Sequence, residues 1–183
     1  MKLKPVDKPK SILLKIAYFL SKREFGKVIA PLRYIYARST PIMMASYKII
    51  TTENKLRLPK EIKILIRYYT AHLNECTFCS NAQEFGAAKE KLKIQKLKEL
   101  FNFRESTNFT PKEKSLLLYL EEVNLTKTAS EQTFENLRSY FNETEIVKIT
   151  WINATENYFN LMAKPLRLTS DELKFPSSKK IKT

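Results

Sequence analysis

Gly26 and Gly86 are the only glycines in this chain of 183 residues. Tight turns that need a positive φ are usually built on glycine, because a Cβ is strained there. A β-sandwich or barrel needs such turns at most of its strand connections. The scarcity therefore favours helices joined by short loops. Prolines support that reading: Pro31, Pro41, Pro59 and Pro111 each stand at the head of an apolar-periodic stretch. A ring that fixes φ near the helical value suits a first turn, where the missing N–H has no partner to lose.

The length is that of one domain with a real core. Residues 1–10, with Pro5 and Pro9 among lysines, read as a flexible basic arm, and residues 174–183 as a mobile basic tail. Between them, residues 11–173 are expected to form an all-α bundle of about seven or eight helices, with no convincing strand. The first helix begins near Ser11 and is expected to turn Ile12, Ile16, Phe19 and Leu20 inward. Further on, Ile62, Leu65, Ile66, Tyr69 and Leu73 line one face of a helix opened at Pro59. Thr110 and Glu113 form a capping box ahead of Leu116, Leu117, Leu120 and Val123. A short helix then carries Phe134, Leu137 and Phe141 inward. Asn142 and Glu145 repeat the box and open a long helix, whose expected buried stripe is Val147, Trp151, Ala154, Tyr158 and Leu161.

The formal net charge is +14, which raises nucleic acid or an anionic surface as partners. Only eight of the 33 basic residues are arginine, however, and they are spread along the chain. Bidentate recognition of phosphate and guanine leans on arginine, so the composition argues against a nucleic-acid role. The lysine-rich stretch 89–98 reads as the solvated side of an amphipathic helix with Leu92, Ile94, Leu97 and Leu100 on the other side. The apolar run after the basic start is interrupted by Lys15 and lacks a small-x-small cleavage site, which argues against a signal peptide. No run is long enough to span a bilayer. The expectation is a soluble cytoplasmic protein without a membrane partner, whose thiols stay reduced and carry no structural disulfide.

The stretch "HLNECTFCSNAQ", residues 72–83, holds both cysteines and the only histidine. Two cysteines three apart can close a disulfide, and a helix N-terminus lowers a thiol pKa through its dipole. If the helix from Pro59 runs on, Cys76 and Cys79 lie on its buried stripe; if it breaks near Asn74, they open the next helix. A zinc site needs a fourth ligand beside His72, Cys76 and Cys79, and Glu75 or Gln83 is a poor one. Inert buried cysteines and a redox pair remain, and the redox pair is preferred. No metal and no other cofactor is expected.

"LRLPKEIKILIRYYTAHLNECTFCSNAQ" resembles the carboxymuconolactone decarboxylase and alkyl hydroperoxidase D superfamily, where a helix opened after Leu-Pro leads into Leu-Asn-x-Cys-x-(aromatic)-Cys. The likeness covers most of residues 25–171, and the Cys-x-Phe-Cys form resembles a branch described only as peroxidase-like. It implies an all-helical fold and homo-oligomers. By the same resemblance Cys79 attacks a hydroperoxide, Cys76 resolves the sulfenic acid into a disulfide, and a dithiol donor restores the pair. A glutamate and two histidines relay protons in such enzymes. The matching positions here hold Ile64, Phe78 and Gln83, none of which exchanges a proton near neutral pH.

Two substitutes are conceivable from spacing. Glu61 lies one turn before Ile64, and His72 would stack above Cys76 on an unbroken helix. The plainer readings are a helix-surface histidine and a glutamate that complements the dipole in a first turn. The expected function is that of a peroxidase-like dithiol–disulfide oxidoreductase. The alternatives are a catalytically silent scaffold or binding module and, more remotely, a decarboxylase-like lyase in which Arg67 holds a substrate carboxylate.

Overall fold

The computed structural model describes residues 3–90 and 94–168. Among them are nine α-helices and no strand: α1 (Ile12–Phe25), α2 (Ala30–Tyr34), α3 (Thr40–Lys55), α4 (Lys60–Leu73), α5 (Thr77–Lys89), α6 (Ile94–Lys98), α7 (Pro111–Thr126), α8 (Glu131–Arg138) and α9 (Glu143–Ala163). Single 3-10 turns follow α2 and α6. The all-α expectation is met, and the prolines stand in first turns or just ahead of them. Pro111 sits behind a complete capping box in which Thr110 Oγ1 accepts from the Glu113 N–H and Glu113 accepts from the Thr110 N–H. Asn142 and Glu145 close the second box at the head of α9.

Helix α4 is the hub, packed against α5, α7 and α9. Its buried Ile62, Leu65, Ile66 and Tyr69 meet Leu116, Leu117 and Leu120 of α7 and Ile146, Ile149 and Ile152 of α9. Fully burying each such aliphatic chain contributes about 1.5–3 kcal/mol. No described helix is long and apolar enough to cross a membrane.

Two expected faces are corrected. On α1 the inward residues are Leu14, Tyr18 and Ser21, while Ile12 and Phe19 are 74% and 65% exposed and Ile16 and Leu20 also face outward. Both sides of this helix carry large apolar residues, so periodicity alone picked the wrong one. On α9 the expected stripe fails at both ends and in the middle: Val147 is 68% and Leu161 71% exposed, Ala154 is exposed as well, and Trp151 and Tyr158 are only partly buried. The buried face is Ile146, Ile149, Ile152, Asn153, Thr155, Glu156, Asn160 and Ala163. Half of it is polar, and a reading by hydropathy therefore turned away from it. Phe134 of α8 is likewise exposed, leaving Leu137 and Phe141 as the anchors there.

Polar groups on the α9 face are satisfied by one another, which offsets the cost of burying them. Asn153 Oδ1 accepts from Thr70 Oγ1 at 2.8 Å and from Asn124 Nδ2 at 2.9 Å. Asn74 Nδ2 donates to Asn157 and Asn160, each at 2.9 Å. The amide network thus runs from the centre of the bundle to Asn74, two residues before the first cysteine.

Residues expected as a flexible arm lie against α1 and α2. The Val6 N–H donates to the Arg33 carbonyl at 3.0 Å, Tyr18 donates to the Val6 carbonyl at 2.5 Å, and Asp7 pairs with Arg33. The expected tail, residues 174–183, lies outside the described residues, as does Leu92 of the lysine-rich stretch.

Candidate functional site

The cysteines sit where the chain turns from α4 into α5. Glu75 takes a left-handed conformation, φ 51°, and two hydrogen bonds close the helix end: Cys76 N–H to the Ala71 carbonyl at 2.8 Å and Glu75 N–H to the His72 carbonyl at 2.7 Å. This is the six-to-one and five-to-two pairing of a helix C-terminus that normally ends on glycine. Cys76 then caps α5, and Cys79 lies in its first turn. Of the two placements left open by the sequence, the broken helix is the one adopted.

Cys76 and Cys79 are joined as a disulfide with their Cα atoms 5.2 Å apart. A pair that can cycle between dithiol and disulfide needs this closeness, and the cap position and first turn of α5 place the two cysteines for it. Ile35, Ala71, Ala163 and Leu168 pack around them. The break in α4 also decides the fate of His72, because the stacking of its ring over Cys76 required a continuous helix. Its ring rests instead on Phe101, centroids 3.9 Å apart. Burial draws its pKa below the ordinary 6.5, with the charge of Glu75 pulling the other way. Glu61 is exposed in the first turn of α4, the position of a dipole partner.

A cavity of about 550 Å3 opens beside the disulfide. Phe78, Cys79 and Gln83 reach it from α5, Ile64 and Arg67 from α4, Ile50 and Glu53 from α3, and Glu156, Phe159 and Met162 from α9. Neither His72 nor Glu61 lines it. Ile64, Phe78 and Gln83, the positions at which the resemblance expects proton carriers, all do. A second hollow, between Arg57, Asn142, Glu143 and Lys148, is open polar surface and contains none of these groups.

The cavity wall carries a charge array that sequence reasoning missed. Arg67 bridges two carboxylates: its Nε donates to Glu53 Oε1 at 2.9 Å, another edge of the guanidinium pairs with Glu53 Oε2, and Nη1 donates to Glu156 Oε2 at 2.5 Å. Asn160 Nδ2 donates to the remaining oxygen, Glu156 Oε1, at 2.7 Å. The guanidinium also lies over the Phe159 ring, 5.7 Å from its centroid. Glu156 is 1% exposed, and burial raises its proton affinity more than Arg67 and Asn160 lower it. The sequence suggests Arg67 as an anchor for a substrate carboxylate, whereas in the structure its guanidinium holds two carboxylates of the chain itself. The signal for its partners was present, since Asn153, Glu156 and Asn160 recur at helical spacing on the face that also carries Ile149 and Ile152.

No family model matches the chain, and a search of curated proteins finds no relative. Solved structures do match. A protein of unknown function from Agrobacterium tumefaciens, provisionally described as the antioxidant defence protein AhpD, is 27% identical over 74% of this chain and 95% of its own, with a TM-score of 0.70. An uncharacterised peroxidase-related protein from Silicibacter sp. is 18% identical over 94% of this chain and 95% of its own, with a TM-score of 0.80. The debrominase Bmp8, solved in complex with 2,3,4-tribromopyrrole, is 14% identical over 94% of this chain and 93% of its own, with a TM-score of 0.81. At 18% and 14% identity the last two show the fold alone, and their different descriptions illustrate how one scaffold carries several chemistries. With its helical architecture, its cysteine-bearing elbow and the Agrobacterium match together, the chain belongs to the alkyl hydroperoxidase D-like superfamily.

Proposed function

We propose that this protein is a peroxidase-like dithiol–disulfide oxidoreductase of the Cys-x-Phe-Cys type. The observation that carries the reading is the placement of Cys79, which is bonded to Cys76, lies in the first turn of a 13-residue helix and faces a cavity large enough for a small organic molecule. A helix N-terminus favours thiolate, the form that attacks an O–O bond. In the proposed cycle Cys79 attacks a hydroperoxide, Cys76 displaces water from the sulfenic acid, and an external dithiol reduces the disulfide. The superfamily name and the descriptions of the Agrobacterium and Silicibacter proteins support peroxide as the oxidant. Cys79→Ser should abolish peroxide consumption by the pre-reduced protein. Unchanged consumption in that variant would transfer the case to a silent scaffold. That second reading is favoured by one observation: the cavity is lined by Ile64, Phe78 and Gln83 where proton carriers are expected.

Self-association belongs to the same reading. Ile12, Ile16 and Phe19 are spaced four and three along the outer face of α1, the spacing of a helix–helix seam, while Leu14 and Tyr18 already hold the inner face. A helix with apolar residues on two sides is normally covered on both. The partner assigned to this outer face is a second copy of the chain.

A further inference from the structure

The proposed reaction needs a proton for the oxygen that leaves when the O–O bond breaks, and the expected carriers are absent. The cavity offers the Glu53–Arg67–Glu156 array in their place. With all three groups ionised it carries one excess negative charge at side chains only 2% to 11% exposed. A proton on one carboxylate removes that excess, because two like charges sharing one cation in a dry site cannot both stay ionised cheaply. Glu156 is the deeper of the two. Burial, the largest influence on it, acts in the same direction.

We propose that Glu156 is the acid that protonates the leaving oxygen of a hydroperoxide held in the Cys79 cavity, and that Arg67 and Glu53 are its positioning residues. The inference rests on the thiol reading above. The Cys79 thiolate forms a bond to the terminal hydroxyl oxygen, the O–O bond breaks, and its electron pair departs with the alkoxide, which takes the Glu156 proton to become the alcohol. Sulfur is oxidised to sulfenic acid and the peroxide is reduced. The Cys76 thiol then forms the disulfide, and its proton leaves with the hydroxyl as water. A dithiol of the solvent phase reduces the disulfide, and Glu156 regains its proton from water.

Other titratable groups face the array from each packed element. Lys63 of α4 donates from Nζ to the Glu53 carbonyl at 2.9 Å, and burial together with Lys148 lowers its pKa. Tyr36, ahead of α3, is raised by burial, while Tyr158 of α9 shares a 3.1 Å hydrogen bond with Ser46. At the α5 side, Glu90 pairs with Lys60. No histidine lines the cavity, so a carboxylic acid is the group there suited to titrate between the acid range and that of the thiols.

The test uses pre-reduced full-length protein and tert-butyl hydroperoxide. Two rates are followed across pH: peroxide-driven disulfide formation, which needs a proton donor, and alkylation of Cys79 by iodoacetamide, which needs only thiolate. Glu156→Gln should slow the first roughly 100-fold and leave the second unchanged. It should also remove the decline of the first rate at rising pH, where the parent loses its acid. Equal slowing of both rates would mark Glu156 as merely structural and overturn the proposal. A parental peroxide rate in Glu156→Gln would overturn it while leaving the thiol reading intact. A parent that forms no disulfide with peroxide would sink both. Should Glu156→Gln not fold, Glu156→Asp retains an acid one methylene further back, and the proposal then requires a displaced pH limb; an unmoved limb defeats it.

Discussion

Arg67 Nη1 stands 2.5 Å from Glu156 Oε2, and the same guanidinium holds Glu53 through its other edge. The three residues come from α4, α9 and α3, so one side chain ties the hub helix both to α9 and to α3 around the cavity. A planar fork with several donors can serve two carboxylates at once, which a lysine ammonium on the same stem would do less well.

Arg67→Met should therefore cost far more than the loss of a surface ion pair. The replacement fills the space but strands the Glu53 carboxylate and leaves Glu156 without its cation in a nearly dry site, and breaking a buried pair on one side costs about 3–5 kcal/mol. The deficit should shrink in acid, where both carboxyls are protonated and need no cation. Urea unfolding at neutral and acidic pH measures both points. A deficit that stays constant with pH would show that Arg67 stabilises by packing alone.

Glu156 gives the second prediction. Its pKa in the folded protein is raised from the ordinary 4.5, so the native state binds more protons than the unfolded chain. Such a group contributes stability that is fully present below the unfolded value and is lost as pH rises through the folded one. The parent should thus lose stability relative to Glu156→Gln as pH climbs from about 4.5. Urea midpoints of the two proteins across that range provide the comparison, and parallel curves would refute the raised value.

The fold was legible where local chemistry speaks for itself. Capping boxes at Thr110 and Asn142, prolines in first turns and the apolar stripe of α4 are signals written within four residues of where they act. The cysteine pair was legible for the same reason, but its place on a continued α4 or at the start of the next helix was not, because that choice turns on the backbone at Glu75. Legibility failed where a helix buries polar residues or exposes apolar ones. Glu156 and Asn153 lie on the inner face of α9 because Arg67, Asn124 and Thr70 come to meet them from other helices, and no local pattern announces such partners. For His72 the condition of an unbroken helix fails at one backbone event, the left-handed Glu75, which turns the chain before the ring can reach Cys76 and leaves a partly exposed helix residue. A carboxylate that serves a cavity from 77 positions away in the chain, as Glu156 does with Cys79, becomes visible only once the helices are packed.

At Glu75 the elbow itself can be tested. A non-glycine residue with φ 51° is strained, and a β-branched side chain is strained further. Glu75→Val should cost roughly 1–2 kcal/mol and slow reclosure of the disulfide after reduction, because the turn delivers Cys76 to the start of α5. Glu75→Gly should move stability the other way. Lys164 pairs with Glu75 at 2.9 Å, yet that carboxylate is exposed and the pair carries little weight. Thermal melts of both variants and the rate of thiol loss under a mild oxidant decide the matter. A glycine variant that is less stable than the parent would mean that the ion pair, not the backbone, governs this turn.

The outer face of α1 supplies the last prediction. Phe19 is 65% exposed, and Ile12 and Ile16 flank it along the same side, whereas the inner Tyr18 is fixed by its hydrogen bond to Val6. Phe19→Glu removes nothing from the core, so it should leave the unfolding midpoint of a dilute sample nearly where it was. If a second copy covers this face, the same change places a carboxylate at the centre of an apolar contact, near its own symmetry mate, and like charges there repel in a desolvated setting. Sedimentation should then report a mass that falls toward that of one chain, 21.5 kDa, in the variant while the parent stays larger. A parent that sediments as one chain at every concentration would leave α1 uncovered and remove the second copy from the account. A variant that sediments like an associated parent would move the contact to another face, since a buried glutamate at Phe19 could not be tolerated without a partner of opposite charge.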